Sequence, residues 1–226
     1  ALKMHCGVPK DALAPENLPA LEAGLANLDR HLHNLREGFG LPCVVAINHF
    51  VTDTDAEIAL LQNRVAERGV PSAVSRHWAE GGVGATELAQ AVVAVCERAP
   101  AQAPRLTYAD ADSLWDKLTK LATTVYGAAR VTASAEAEAR IAQLQAQGWG
   151  HLSVCVAKTQ YSFSTDPQLL GAPSGHTLHV REVRLSAGAG FVVMICGDIM
   201  TMPGLPVHPG AEGMDIDEAG QITGLY

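Results

Sequence analysis

The stretch Leu41–Ile58, LPCVVAINHFVTDTDAEI, carries most of the information about the fold. Its apolar run Cys43–Ile47 is short, continuous and bounded by turn residues, which is typical of a strand buried on both faces of a parallel sheet. The polar and aromatic loop Asn48–Phe50 follows. Thr54, with Glu57 three residues later, then forms a capping-box signature that starts a helix. The stretch therefore predicts a strand, a loop and a helix in direct succession.

The same order recurs in the next segment of the chain. Ala73–Val74 predicts a second short strand, and the loop SRHWAEGGVGA and the helix TELAQAVVAVCERA follow it. A leucine-rich helix from about Glu16 to Glu37 precedes both units, with apolar residues three or four apart. Strands and helices that alternate in this way indicate an α/β fold with a parallel sheet and flanking helices.

A smaller C-terminal α/β domain is predicted after the Pro/Ala-rich stretch Ala99–Pro104, which is the best candidate for a domain boundary. The expected division is therefore 1–100 and 101–226. The second domain is expected to contain two helices, three strands and a final hairpin turn, at about Ala111–Tyr126, Ser134–Gln147, Leu152–Ala157, Thr177–Leu185, Phe191–Cys196 and Asp217–Gly220.

Composition excludes some partners. The 226 residues include 16 basic and 24 acidic side chains, a net charge near −8, so no nucleic-acid partner is expected. No segment approaches the roughly 20 apolar residues of a membrane span, so no membrane partner is expected either. Cys43, Cys155 and Cys196 lie in apolar runs and are expected to be buried, reduced thiols of a cytoplasmic protein. The chain has no starting methionine, and we expect it to be part of a longer protein.

Two aromatic residues follow the two predicted parallel strands. Phe50 comes after the first strand and Trp78 after the second, and ligands of open α/β sheets bind at the edge where such strands end. The pair could clamp a flat heterocycle, and Gly81, Gly82 and Gly84 would let the backbone approach it. The alternative is that each ring lies at the rim of the core. Spacing alone leaves both interpretations open.

Other motifs are absent. No G-x-x-x-x-G-K-[ST] sequence is present, so the chain does not supply the main phosphate site of a P-loop. No helical histidine pair has a third ligand, so no metal site is expected. His49 and His77 are interpreted as solvated loop residues. No residue of this chain is assigned a catalytic role.

Motifs along nearly the whole chain resemble those of the C-terminal portion of formate–tetrahydrofolate ligase, also called 10-formyltetrahydrofolate synthetase. They are ALKMHCGVPK, VVAINHFVTDTDAEI, WAEGGVGATELA, VCVAKTQYSFSTDP, VREVRLSAGAGFVV, GDIMTMPGLP and ITGLY. The resemblance implies an enzyme that joins formate to tetrahydrofolate with ATP, through formyl phosphate, to give 10-formyltetrahydrofolate. It also implies that residues 1–100 are the C-terminal part of a P-loop-type nucleotide hydrolase-like domain that carries the folate-binding loops.

The resemblance further implies roles for particular residues. Phe50 and Trp78 correspond to two rings that stack on the two faces of the folate ring system. Asn48 and Asp53 match positions that shape the first loop. In this chain His49 stands where a basic residue is usual and Val51 where proline is usual, which puts the affinity for the ligand in doubt.

The resemblance implies partners as well. The lysine of the family's P-loop lies in the N-terminal half, so that half is the expected partner, and this chain alone is expected to lack ligase activity. ATP, formate and tetrahydrofolate are the expected substrates, in a homo-oligomer; a monovalent cation is left open because no motif places one. The alternative is a non-catalytic folate-binding or interaction module derived from the same fold.

Overall fold

The computed structural model describes residues 1–99, 103–199 and 207–224. The α-helices of these ranges, numbered in chain order, are α1 Leu2–His5, α2 Leu18–His33, α3 Asp55–Glu67, α4 His77–Glu80, α5 Thr86–Arg98, α6 Leu114–Thr124 and α7 Ala135–Ala146. The strands are β1 Val45–Asn48, β2 Ser72–Ser75, β3 Arg130–Ala133, β4 Ser153–Ala157, β5 Thr177–Ser186, β6 Phe191–Cys196, β7 Asp215–Ile216 and β8 Ile222–Thr223.

The first sheet consists of β1 and β2, which pair in parallel from Val45 opposite Ser72 to Asn48 opposite Ser75. Helices α2 and α3 cover it, and Leu32, Val65 and Val70 form the buried centre of a small core. The predicted class, α/β with parallel strands and flanking helices, is therefore confirmed.

Helix boundaries follow local capping chemistry. Thr54 caps α3 as the sequence predicts, because its side-chain oxygen accepts a hydrogen bond from the backbone N–H of Glu57. Helix α2 begins after Asn17, which caps it in the same way, and continues into a π-helical turn at Asn34–Gly38. The predicted helix from Glu16 to Glu37 is thus confirmed as one α-helix with a widened last turn.

The second sheet has the strand order β3-β5-β6-β4. The pairs β3–β5 and β4–β6 are parallel, whereas β5 and β6 are antiparallel and are joined by a short 3₁₀ turn at Ala187–Ala189. Helices α6 and α7 pack on this sheet through residues at helical spacing. The larger core contains the fully or nearly fully buried side chains Leu114, Leu118, Ile141, Leu144, Leu178, Val180, Val183, Val192 and Met194.

A bulge in β5 sets which of its side chains enter this core. Leu178 and Val180 alternate inward as in a regular strand, but the next buried residue is Val183. The register against β6 shifts between Val180 and Glu182, which adds one residue to β5. Such an extra residue moves the inward positions along by one.

Three expectations need correction. Helix α6 begins at Leu114 rather than near Ala111, because Ser113 caps it. Strand β3, Arg130–Ala133, was not predicted at all. Cys155 is exposed, since Val154 takes the inward position of β4, whereas Cys196 is buried as expected and Cys43 only partly so.

Polar contacts from α2 and its π-helical last turn connect the first sheet's helices to the C-terminal unit. The side-chain amide of Asn27 donates to the carbonyl of Gly171 at 2.8 Å, and that of Asn34 donates to the carbonyl of Val125 at 2.9 Å. Residues 100–102, the centre of the predicted linker, lie outside the described residues. Across the described part of the chain, no helix is both long and apolar enough to cross a membrane.

Candidate functional site

Two loops leave the same edge of the first sheet. Asn48 and Ser75 are the last pair of the parallel ladder, and the backbone N–H of His49 still donates to the carbonyl of Ser75 at 3.0 Å. Phe50 lies two residues beyond β1, and Trp78 lies three residues beyond β2. The carboxyl ends of the strands thus carry both aromatic residues, at the edge where ligands of such sheets bind.

The first loop is a tight turn closed by hydrogen bonds between Phe50 and Asp53. The N–H of Phe50 donates to Oδ2 of Asp53 at 2.9 Å, and the N–H of Asp53 donates to the carbonyl of Phe50 at 2.9 Å. This turn holds the ring of Phe50 out of the core, with 64% of the residue exposed, and Val51 at the tip is 89% exposed. The turn thus presents an apolar aromatic surface to its surroundings.

The second loop is folded back on the end of β2. The N–H of Arg76 donates to the carbonyl of Gly84 at 2.9 Å, which closes the loop around the short helix α4. Trp78 is on this helix and is 84% exposed. A Cβ atom at Gly84 would lie 2.6 Å from the carbonyl carbon and oxygen of Arg76, so only glycine permits this closure. Gly81 has φ +59°, a conformation that glycine adopts most readily, whereas Gly82 has open space around it.

The imidazole of His77 contacts Ser75, the last residue of β2. Ser75 is buried, and its hydroxyl lies 2.8 Å from Nδ1 of His77, within hydrogen-bond distance. The ring is exposed at the surface, as the sequence interpretation has it, but it is not free to rotate. This contact fixes the residue next to Trp78.

A cavity of about 360 Å³ borders the first loop. Asn48, Phe50 and Asp53 line it together, so the structure brings these three predicted residues to one place. Trp78 does not line this cavity, and Gly82 lines a different one against α5. The two halves of the predicted aromatic clamp therefore share an edge of the sheet but not a cavity.

A buried ion pair lies at the same cavity and was not singled out from the sequence. Nζ of Lys3 lies 2.9 Å from Oε1 of Glu57, and the N–H of Asn17 donates to the same oxygen at 2.8 Å. Burial acts to raise the pKa of Glu57, but the hydrogen bonds from Asn17 and Lys3 outweigh it and hold this pKa below its usual value. The sequence pattern indicates only that Glu57 belongs to a capping box at the start of a helix. Nothing local to Glu57 indicates its ion pair with Lys3, 54 positions earlier in the chain.

Within residues 1–99, 103–199 and 207–224, no three histidine, cysteine, aspartate or glutamate side chains are grouped so that they could hold a metal ion.

The fold and the loops define a class of protein. It is an α/β protein that presents exposed aromatic residues and a glycine-rich loop at the carboxyl edge of two parallel strands. A family model described as formate–tetrahydrofolate ligase matches residues 1–226. The chain belongs to that family.

Individual relatives agree with the family match. The chain is 56% identical to a formate–tetrahydrofolate ligase of Methylibium petroleiphilum, and the match covers 100% of this chain and 41% of the relative. It is 56% identical to one of Methylobacterium nodulans and 54% identical to one of Methylococcus capsulatus, with 100% of this chain and 40% of each relative covered. The chain thus spans about two fifths of the length of these relatives.

Proposed function

We propose that this chain is a segment of an ATP-dependent ligase that joins formate to tetrahydrofolate and forms 10-formyltetrahydrofolate. The observation that carries the proposal is the presentation of two exposed aromatic residues, Phe50 and Trp78, at the carboxyl edge of β1 and β2. In the family resemblance these residues stack on the two faces of the folate ring system. Offset stacking contributes about 0.5–1.5 kcal/mol per aromatic pair beyond the burial of surface.

Phe50 and Trp78 together form the proposed folate wall, and the remaining loop residues would support it. Asp53 holds the turn that presents Phe50, and Asn48 lines the cavity beside it. Gly81 and Gly84 allow the tight backbone of the second loop, while Gly82 lies where an added Cβ would meet nothing. Because Trp78 and Phe50 do not line one cavity here, the proposed clamp requires the ligand, or the rest of the enzyme, to close the space between the loops.

The chemical step belongs to the rest of the enzyme. The chain has no P-loop motif, so the main phosphate site for ATP and the site that forms formyl phosphate are proposed to lie in the portion of the relatives outside the match. No residue of this chain is proposed as catalytic, and a monovalent cation, if the reaction uses one, has no assigned ligands here. The chain alone is accordingly proposed to have no ligase activity.

The edge of β1 is the proposed contact with the portion of the enzyme that lies outside the match. All four residues of β1, from Val45 to Asn48, line the 360 Å³ cavity. Side chains of consecutive strand residues alternate between faces, so four in a row can border one cavity only along the backbone edge of the strand. The edge is flanked by the apolar side chains Leu28, Ile58 and Leu61. A further parallel strand from the rest of the enzyme would complete the sheet here.

The proposed organisation keeps two units, 1–100 and 101–226. Separate sheets and separate cores support this division, and the mainly parallel first unit is proposed as part of a P-loop-type domain. Homo-oligomerisation and a cytoplasmic location also belong to the proposal and rest on the family resemblance alone.

Reconstitution tests the proposal directly. The purified chain would be assayed for 10-formyltetrahydrofolate formed from formate, ATP and tetrahydrofolate, alone and mixed with the unmatched portion of the Methylibium petroleiphilum relative. We expect activity only in the mixture, and less of it with Trp78→Ala. Activity of the chain alone would refute the proposal that the chemical step requires the rest of the enzyme.

A second result would favour the other class of function. If the mixture stays inactive while the chain binds tetrahydrofolate, the chain is a folate-binding module without catalysis. A Leu106→Ala variant, which changes an exposed apolar residue outside the two loops, serves as the control for unspecific effects.

A further inference from the structure

A second cavity lies between α2 and the C-terminal unit, away from the two aromatic loops. It measures about 140 Å³, enough for a small ion together with a few waters. Four separate segments line it. His5 is the last residue of α1 and His31 is on α2, whereas Tyr126 lies two residues beyond α6 and Lys158 comes directly after β4. The hydroxyl-bearing residues Tyr126 and Ser162 also line it.

Lys158 brings a positive charge to the cavity, and no carboxylate of the lining compensates it. None of its nine lining residues is acidic. Burial lowers the pKa of His31, and the charge of Lys158 lowers it further. Burial likewise lowers the pKa of Lys158, although the Cys196 thiol acts to raise it. Arg30 adds a further positive charge beside the cavity, because its guanidinium lies 5.8 Å from the ring centroid of Phe163, a lining residue.

Two donors of the lining remain after the hydrogen bonds that the described residues make, one on Lys158 and one on His5. Nζ of Lys158 donates to the backbone carbonyls of Thr159 and Ser162 and lies 5.0 Å from the ring centroid of Tyr126. An ammonium has three N–H donors, so one remains after these two bonds. The N–H of Gly171 donates to Nδ1 of His5 at 3.3 Å, which leaves the proton of the neutral ring on Nε2 as a donor.

His176 is an unsatisfied histidine near Lys158 and Arg30, although it does not itself line the cavity. Both ring nitrogens of His176 are buried and have no hydrogen-bond partner among the described residues. The ring is close enough to Lys158 and Arg30 for both charges to act on it: burial lowers the pKa of His176, and these two charges lower it further. Buried polar atoms without a partner are rare, and an anion bound beside Lys158 would add a negative charge close to this ring.

We propose that the cavity lined by His5, His31, Tyr126 and Lys158 binds a small oxyanion of the phosphate class. The positive charges of Lys158 and Arg30 and the free donors of Lys158 and His5 are explained by one bound anion. Phosphate suits this arrangement because its oxygens accept several hydrogen bonds at once from donors on different sides. The site joins the two units through their side chains, so an occupied site would hold them together.

This site is independent of the proposed folate wall. None of the residues that line it belongs to the two aromatic loops. Its test therefore needs neither folate nor the rest of the enzyme, and either proposal can fail while the other holds.

Calorimetric titration of the purified chain with inorganic phosphate is the experiment. We expect saturable binding of one phosphate per chain, and affinity at least about tenfold weaker in Lys158→Gln, because a charge-assisted hydrogen bond is lost. Lys120→Gln is the matched control, since Lys120 forms its ion pair with Asp112 at the surface of α6. That control should bind phosphate within about twofold of the wild-type affinity.

A second pair of variants keeps the test valid if Lys158→Gln does not fold. His31 lies at the exposed rim of the cavity, so His31→Gln should fold normally and still weaken phosphate binding. His33→Gln, two residues further along the same helix and outside the cavity lining, is its control. In parallel, the ring ¹⁵N resonances of His176 should shift on addition of phosphate to the wild-type chain.

The outcomes are decisive in both directions. Absence of saturable binding at millimolar phosphate, or equal affinity in wild type, Lys158→Gln and His31→Gln, would overturn the proposal. Acetate binding as tightly as phosphate would overturn the assignment to the phosphate class. Phosphoserine serves as a further probe: tighter binding than inorganic phosphate assigns the site to a phosphate group on a larger molecule, and weaker binding assigns it to the free ion.

Discussion

Replacement of Trp78 by alanine separates a ligand platform from a core residue. Trp78 is 84% exposed, so about one sixth of it is buried within the protein. Truncation of a fully buried tryptophan costs about 3–5 kcal/mol, and one sixth of that is about 0.5–0.8 kcal/mol. We therefore expect Trp78→Ala to lower the free energy of unfolding by less than about 1 kcal/mol, measured by urea denaturation.

The same change should weaken tetrahydrofolate binding. Loss of one stacking partner removes about 0.5–1.5 kcal/mol, which corresponds to an affinity about 2- to 10-fold lower before the lost burial of ring surface is counted. Calorimetry would give this affinity. Tryptophan fluorescence, titrated with tetrahydrofolate, would show a quench in the wild-type chain that Trp78→Ala largely removes.

Trp149→Phe is the control, because Trp149 packs against the C-terminal core and should not contribute to that quench. A stability loss near 3 kcal/mol or more would show that Trp78 is packed rather than presented. Unchanged affinity together with an unchanged quench would remove it from the folate wall.

Three further changes test other parts of the structure. Glu57→Gln leaves the ammonium of Lys3 buried without its carboxylate and should lower the free energy of unfolding by about 3–5 kcal/mol at neutral pH. The folded-state pKa of Glu57 is lowered, so its contribution is complete above the ordinary value of 4.5 and is lost as the pH falls through the folded-state pKa. The difference in urea stability between wild type and Glu57→Gln should accordingly shrink below about pH 4.5, and a constant difference would contradict this. Gly84→Ala should cost about 1–3 kcal/mol because its Cβ meets the backbone of Arg76, whereas Gly82→Ala, with open space, should stay within about 0.5 kcal/mol; equal effects in thermal denaturation would refute the close approach. Ser134→Ala should cost about 1 kcal/mol through loss of the cap of α7, and Ser134→Asn should restore most of it in the same assay.

The sequence predicts best those elements whose signals are local. Thr54 is a cap that can be seen in a few residues, and α3 begins directly after it. The helix predicted from Ser134 likewise begins there, as α7. The parallel pairing of β1 with β2 follows from the alternation of strands and helices. The sequence also predicts the strands Thr177–Leu185 and Phe191–Cys196, which the structure has as β5 and β6, but it does not predict their antiparallel pairing.

The features that the sequence does not reveal depend on distant parts of the chain. Strand β3 has only four residues, and its partner Thr177 is 47 positions away, so no local pattern identifies it. The exposure of Cys155 depends on which face of β4 meets α6 and α7. The cluster of His5, His31 and Lys158 is assembled from three segments, and each residue alone is an ordinary surface-type side chain.

The bare edge of β1 has a consequence for how the isolated chain behaves in solution. Natural edge strands are protected from aggregation by lysine, proline or a bulge, and the four residues VAIN of β1 contain neither a charged residue nor proline. Such a strand is suited to the interior of a sheet. Within the described residues it pairs with β2 alone, so its other edge can template pairing with an extended segment. The chain on its own should therefore lose solubility as its concentration rises, and co-synthesis with the remaining portion of the enzyme should relieve this.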